Sequence, residues 1–90
     1  MSNQDTLRGR GRVIFSGRTA EADYRIQVTQ RLPHLEAHGH LTTDAWAVRA
    51  ISEIGAAQLQ LEDERKVEIV VSRGDVPAGE LLFRVGSELW

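Results

Sequence analysis

The stretch from Ala56 to Val85 constrains the fold most, because its apolar residues recur at every second position. Polar or charged residues fill the positions between them. A period of two predicts half-buried strands, since successive side chains of a strand point to opposite faces of the sheet. The apolar face of these three predicted strands consists of Leu59, Leu61, Val67, Ile69, Val71, Leu81, Phe83 and Val85.

The first half of the chain predicts three further strands, about Gly9–Ser16, Ala20–Leu32 and Leu35–Thr42. In the second of these, apolar and polar residues alternate over most of its length. Residues 1–7 are polar, and we expect them to form a flexible segment ahead of a single β-rich domain over residues 8–90. The chain is too short for more than one such domain.

A helix of about ten residues is predicted between the third and fourth strands. Thr43 and Asp44 suit its N-terminal cap, and Gly55 suits the position after its end. The predicted fold is mainly β: a small six-stranded antiparallel barrel or curled sheet with one short helix between strands 3 and 4. This order resembles that of the OB-fold in its sequence of elements. Besides the face described above, the predicted core contains Val13, Phe15, Tyr24, Ile26, Val28, Leu35, Leu41, Ile51 and Ile54, with Trp46 anchoring the helix.

Matching apolar residues across each hairpin predicts how the strands pair. We expect a three-residue turn with Glu64 or Arg65 in the left-handed conformation before the fifth strand, and a loop over Ser72–Glu80 before the sixth. The predicted cross-strand pairs are Arg12 with Asp23, Leu32 with Leu35, Ile26 with Leu41, Arg31 with Glu36, Leu61 with Val67, Leu59 with Ile69, Val71 with Leu81, and Val70 with Leu82.

Composition narrows the possible functions. The chain has 90 residues, no cysteine and a formal net charge of −2, so it offers no disulfide or zinc–thiolate site and no general attraction to polyanions. No apolar run resembles a signal peptide or a membrane span, and we expect a cytoplasmic protein without membrane contact. No catalytic or cofactor motif is present, so we expect neither enzymatic activity nor a cofactor.

An apolar set on the outward face motivates the leading functional hypothesis. Ile14, Val70 and Leu82 are predicted to point away from the core, and Trp90 ends the chain. Exposed apolar patches commonly mark interaction surfaces. We therefore expect a non-enzymatic protein-interaction module, with itself as the partner in a homodimer, either through this face or through a free strand edge.

Two alternatives rest on polar residues. Arg10, Arg12, Arg25 and Arg31 can contact phosphates, and together with the OB-like element order they suggest a single-stranded nucleic-acid binder. The predicted ligand face carries no Phe, Tyr or Trp to stack a base. Separately, Glu36, His38 and His40 share the outward face of the third strand, where alternate side chains can bind one metal ion.

Overall fold

The computed structural model describes the backbone of residues 4–31 and 34–86, and the side chains of residues 6–28 and 36–86. Within these ranges the chain forms six strands and one helix. In chain order they are β1 (Gln4–Phe15), β2 (Arg18–Arg31), β3 (His34–Thr42), α1 (Ala45–Ile54), β4 (Ala56–Gln60), β5 (Lys66–Asp75) and β6 (Glu80–Val85). β1 begins at Gln4, several residues earlier than predicted.

The six strands form a closed antiparallel barrel in the order β1-β2-β3-β6-β5-β4. β4 closes it against β1 through a short ladder in which Arg12 to Ile14 face Gln60 to Gln58. The prediction of a mainly β fold is confirmed, and of its two forms the closed barrel is the one observed. A sixth strand distinguishes it from the five-stranded OB-fold.

Glycines permit the strands to approach closely enough for the barrel to close. A Cβ atom on Gly11 would overlap the carbonyl oxygen of Gln60, and one on Gly39 would overlap that of Arg25. Glycine inside a strand often marks such a close approach of two backbones. The close approach of β1 to β4 and of β3 to β2 therefore depends on these two residues.

The β1–β2 register differs from the prediction by two residues. The turn contains only Ser16 and Gly17, whose φ angles of 46° and 75° are both positive, as a type I′ hairpin turn requires. This tight turn places Arg12 opposite Glu21 instead of Asp23. Asp23 faces Arg10.

The β2–β3 and β4–β5 registers are also shifted by two residues. Leu41 faces Tyr24 rather than Ile26, and Leu59 faces Val67 rather than Ile69. Glu64 takes the left-handed conformation, with φ of 73°, as one of the two predicted candidates. Glu36 faces Thr29 instead of Arg31, and Leu35 faces Gln30 instead of Leu32, which itself lies outside the described residues.

β5 extends to Asp75, well into the predicted loop, and contains an irregularity between Val71 and Arg73. Val70 consequently pairs with Arg84, and the prediction that it faces Leu82 is wrong. Val71 pairs with Phe83 rather than Leu81. The bulge arises because the strand must insert one extra residue to keep its inward positions against β6.

The core fills the barrel and its helix-covered end. Twelve members of the predicted core are buried. Val28, Val71 and Val85 are partly buried and pack against them. The side chain of Leu35 is not described. The twelve are Val13, Phe15, Tyr24, Ile26, Leu41, Ile51, Leu59, Leu61, Val67, Ile69, Leu81 and Phe83. Five smaller buried residues complete the core, and the predicted alternation of the second and third strands also puts Ala22 and Ala37 inward. The five are Ala20, Ala22, Ala37, Ala47 and Val48.

The helix presents a different face from the predicted one. Ala47, Val48 and Ile51 are buried, while Ile54 is 50% exposed, so its assignment to the core is wrong. Trp46 is 47% exposed and does not anchor the helix inside the barrel. The caps are as predicted, with Asp44 before the helix and Gly55 left-handed at its end.

Candidate interaction surfaces

Outward side chains form rows across the strands, because paired residues on neighbouring strands point to the same face. These rows determine which of the predicted site residues are neighbours. Within the described side chains, the buried residues are all hydrophobic. The polar chemistry of this part of the chain therefore lies on the outer surface.

An open apolar groove crosses β1, β4 and β5. Ile14 and Val70 form its two walls, and both are partly buried. Ala56 on β4 pairs with Val70, and its small side chain forms the floor of the groove. Gln58 and Glu68 line the polar side of the same groove. The structure thus brings two members of the predicted apolar set together.

Trp46 adjoins this groove through Phe15. The two rings lie 5.7 Å apart between centroids, and Phe15 is also part of the groove lining. The guanidinium carbon of Arg18 lies 6.0 Å from the centre of the Trp46 ring, within the range of a cation–π interaction. Phe15 thus links this half-exposed aromatic side chain to the groove, although Trp46 itself does not line it.

Leu82 does not belong to the groove. It is 47% exposed and lies between His40 on β3 and Arg73 on β5. The predicted grouping of Ile14, Val70 and Leu82 on one face is corrected accordingly. Trp90, the fourth member of the predicted partner-binding set, lies outside the described residues.

A free strand edge is present along β1. This strand pairs with β4 only at Arg12 to Ile14, so within the described residues 4–11 have β2 as their sole strand partner. Arg8 and Arg10 lie on this edge and are exposed. Charged side chains on an edge strand discourage pairing with another chain.

The predicted arginine set divides between two environments. Arg10 contacts Glu21 at 3.3 Å and Asp23 at 3.9 Å, and Arg12 also faces Glu21 across the ladder. These carboxylates offset the positive charge of both arginines. Arg25, in contrast, faces Arg8 on one side, while the side chain of Arg31 is not described.

Glu36, His38 and His40 are all exposed on the outer side of β3, where the alternation predicts them. His38 pairs with Arg84 on β6, and His40 pairs with Arg25 on β2. Guanidinium groups so close to the imidazoles oppose a bound cation. Among the described residues, no three acidic, histidine or cysteine side chains form a group able to hold a metal ion.

Asp63 has a shifted pKa. The backbone N–H of Arg65 donates to Oδ1 of Asp63 at 3.2 Å, and the Arg65 side chain donates to Oδ2 at 2.6 Å. These bonds, with the backbone bond first, lower the pKa of the Asp63 carboxyl below its usual value. Asp63 lies in the exposed β4–β5 turn, where this interaction supports the turn.

Comparison with known proteins gives no match to any family model, curated protein or solved structure. Among the described residues, no helix is long and apolar enough to cross a membrane.

Proposed function

We propose that this protein is a non-enzymatic interaction module that forms a homodimer through the groove between Ile14 and Val70. The observation that carries the proposal is the position of Trp46, which is 47% exposed and adjoins that groove through Phe15. Tryptophan is enriched among the residues that dominate binding energy at protein interfaces.

A second copy of the chain is the occupant that this arrangement favours. A two-fold interface uses the same patch on both subunits, so it needs a protruding group and a depression side by side. Trp46 supplies the first, and the groove with Ala56 at its floor supplies the second. A two-fold axis near Phe15 would let each Trp46 enter the groove of the other subunit.

The surroundings of the groove suit a reversible interface. Ser16, Gln58 and Glu68 line it together with the apolar residues, which gives the polar rim typical of such contacts. The β1 edge is the weaker candidate for self-association, because its pairing would bring Arg8 and Arg10 of two chains near one another.

Sedimentation equilibrium tests the proposal. The wild-type chain should approach twice its mass of 10.1 kDa at high concentration. Trp46→Ala removes an anchor worth about 2 kcal/mol at each of two equivalent sites, so the dissociation constant should rise by about a thousandfold. Ala56→Glu, which puts a charge on the groove floor, should give a monomer.

Leu82→Ala is the matched control, because Leu82 is as exposed as Trp46 but lies outside the groove. This variant should dimerise like the wild type. A wild-type chain that stays monomeric at about millimolar concentration, where even weak contacts of about −4 kcal/mol associate, contradicts the proposal. Equal loss of the dimer in Leu82→Ala would place the interface elsewhere.

A further inference from the structure

A row of basic side chains crosses the outer surface of five neighbouring strands. Arg8 on β1 pairs with Arg25 on β2, and Arg25 pairs with His40 on β3. The row continues through Leu82 on β6 to Arg73 on β5. All five side chains are exposed. None of these five residues lines the apolar groove.

A second pair of basic residues widens the row. His38 and Arg84 face each other across β3 and β6, two positions along the strands from His40 and Leu82. We define the arginine band as Arg8, Arg25, Arg73 and Arg84, with His38 and His40 between them. Within the described part of the chain, no carboxylate forms an ion pair with any of these four arginines.

The unpaired state of these arginines contrasts with the rest of the surface. Arg10, which is next along the same face of β1, is paired with Glu21 and Asp23. The whole chain has a net charge of −2, so the band is a local concentration of positive charge on an otherwise acidic protein. A localised basic stripe is the electrostatic footprint of a polyanion site.

The arginine band is narrow, and its width favours a single anionic chain over a broad anionic surface. The adjacent row on its helix-proximal side carries Asp23, Glu80 and Asp75. Two residues along a strand span only about 6.7 Å. A flat anionic bilayer or the two backbones of a duplex would meet these carboxylates as well as the arginines. A single anionic chain can follow the band without reaching them.

The chemistry of the band fits a nucleic acid better than an acidic peptide. Each guanidinium presents a planar fork that matches the oxygens of a phosphate. Imidazole rings and guanidinium planes also stack on unpaired bases, and His38 and His40 are exposed among the arginines. Stacking by these His and Arg side chains can therefore replace the Phe, Tyr and Trp that this face lacks. We infer that the arginine band binds the backbone of single-stranded nucleic acid.

The dimensions of the band indicate a short site. Along the curved wall of the barrel, five adjacent strands cover an arc of about 19 Å at the backbone, at about 4.8 Å between neighbours. Such a length corresponds to the lower limit of about four nucleotides found for single-strand-binding barrels. Four phosphate contacts predict that the logarithm of the binding constant falls with the logarithm of salt concentration with a slope of about −2.8.

Fluorescence anisotropy of labelled oligo(dT) and oligo(U), each of about twelve nucleotides, tests the inference with the full chain. Affinity should fall about 50-fold between about 50 and 200 mM salt. Arg25→Ala and Arg84→Ala should each remove one contact, weakening binding about eightfold at about 50 mM salt and reducing the slope by about 0.7. The ratio of the two affinities tells whether DNA or RNA is preferred.

Arg49→Ala is the matched control, because Arg49 is an exposed arginine on the helix and outside the band. It changes the net charge equally and should leave the affinity and the slope unchanged. The inference is overturned if neither oligonucleotide binds at about 50 mM salt. It is equally overturned if Arg49→Ala weakens binding as much as Arg25→Ala, or if only poly-glutamate or phosphatidylserine vesicles bind.

Discussion

The backbone N–H of Glu62 donates a hydrogen bond of 3.0 Å to the phenolic oxygen of Tyr24. Tyr24 is 7% exposed and lies over Gly9, where a side chain would collide with its phenol group. This bond satisfies the hydroxyl of a buried tyrosine and ties β2 to the turn between β4 and β5. It thereby links two sides of the barrel that are far apart in sequence.

Removing that hydroxyl should weaken the fold measurably. Tyr24→Phe leaves the Glu62 N–H without its partner in a partly buried position, so we expect a loss of about 1–3 kcal/mol in urea unfolding. Glu62→Ala keeps the backbone donor and is the control, with an expected effect within about 0.5 kcal/mol. Equal stability of Tyr24→Phe and wild type would show that the bond contributes nothing.

Gly11 should be intolerant of any side chain. Gly11→Ala places a methyl group against the carbonyl oxygen of Gln60, at the seam where β1 meets β4. We expect a loss of about 1–3 kcal/mol in unfolding free energy, or partial opening of the seam. Gly86→Ala is the control, since its methyl group would meet Val70 at an ordinary contact distance of 3.4 Å. Similar midpoints for the two variants would refute the role given to Gly11.

Glu64 offers a route to greater stability. Its φ of 73° lies in the left-handed region, which costs residues with a Cβ atom about 1–2 kcal/mol. Glu64→Gly should therefore raise the unfolding free energy by about 0.5–1 kcal/mol, once the added flexibility of the unfolded chain is included. Glu62→Gly, in the same turn but without positive φ, should instead lower it, and the two changes are compared by urea titration.

Two isoleucines of one helix should respond differently to truncation. Ile51 is fully buried whereas Ile54 is 50% exposed. Ile51→Ala should cost about 2–5 kcal/mol because it leaves a cavity, whereas Ile54→Ala should cost less than about 1 kcal/mol. Thermal or urea unfolding of the two variants measures the contrast. Similar losses for the two variants would mean that both isoleucines are buried, as the sequence predicts.

Asp63 should add a pH-dependent contribution to stability. Its pKa is lower in the folded state than the ordinary value of 3.8, so its stabilising effect is present above that value and is lost as the pH falls through the lowered pKa. Asp63→Asn should be less stable than wild type near neutral pH. The urea midpoints of the two proteins should converge well below pH 3.8. Parallel curves across that range would contradict this assignment.

The inward and outward faces of the strands could be predicted from the sequence. Three of the four predicted hairpin pairings are wrong by two residues in the same direction, and the fourth is wrong by two in the opposite direction up to its bulge. Leu59, Ile69 and Phe83 are nevertheless buried as expected. A shift of two residues preserves the face to which each side chain points. The alternation therefore specifies burial even where the turn length is misjudged.

The neighbours across strands could not be predicted, because they depend on turns and bulges. The type I′ turn at Ser16 and Gly17, and the bulge after Val71, each move a strand relative to its partner. The arginine band is assembled by these registers: Arg8, Arg73 and Arg84 come from three separate strands.

The three-residue ladder between β1 and β4 is the shortest pairing in the barrel. Ring closure depends on it, so local fluctuations should separate this junction before any other. Once separated, β1 and β4 would expose unpaired backbone N–H and C=O groups to neighbouring molecules. Such exposed strand edges commonly lead to aggregation. Gly11 guards against this outcome, because a side chain there would push β1 away from the carbonyl oxygen of Gln60.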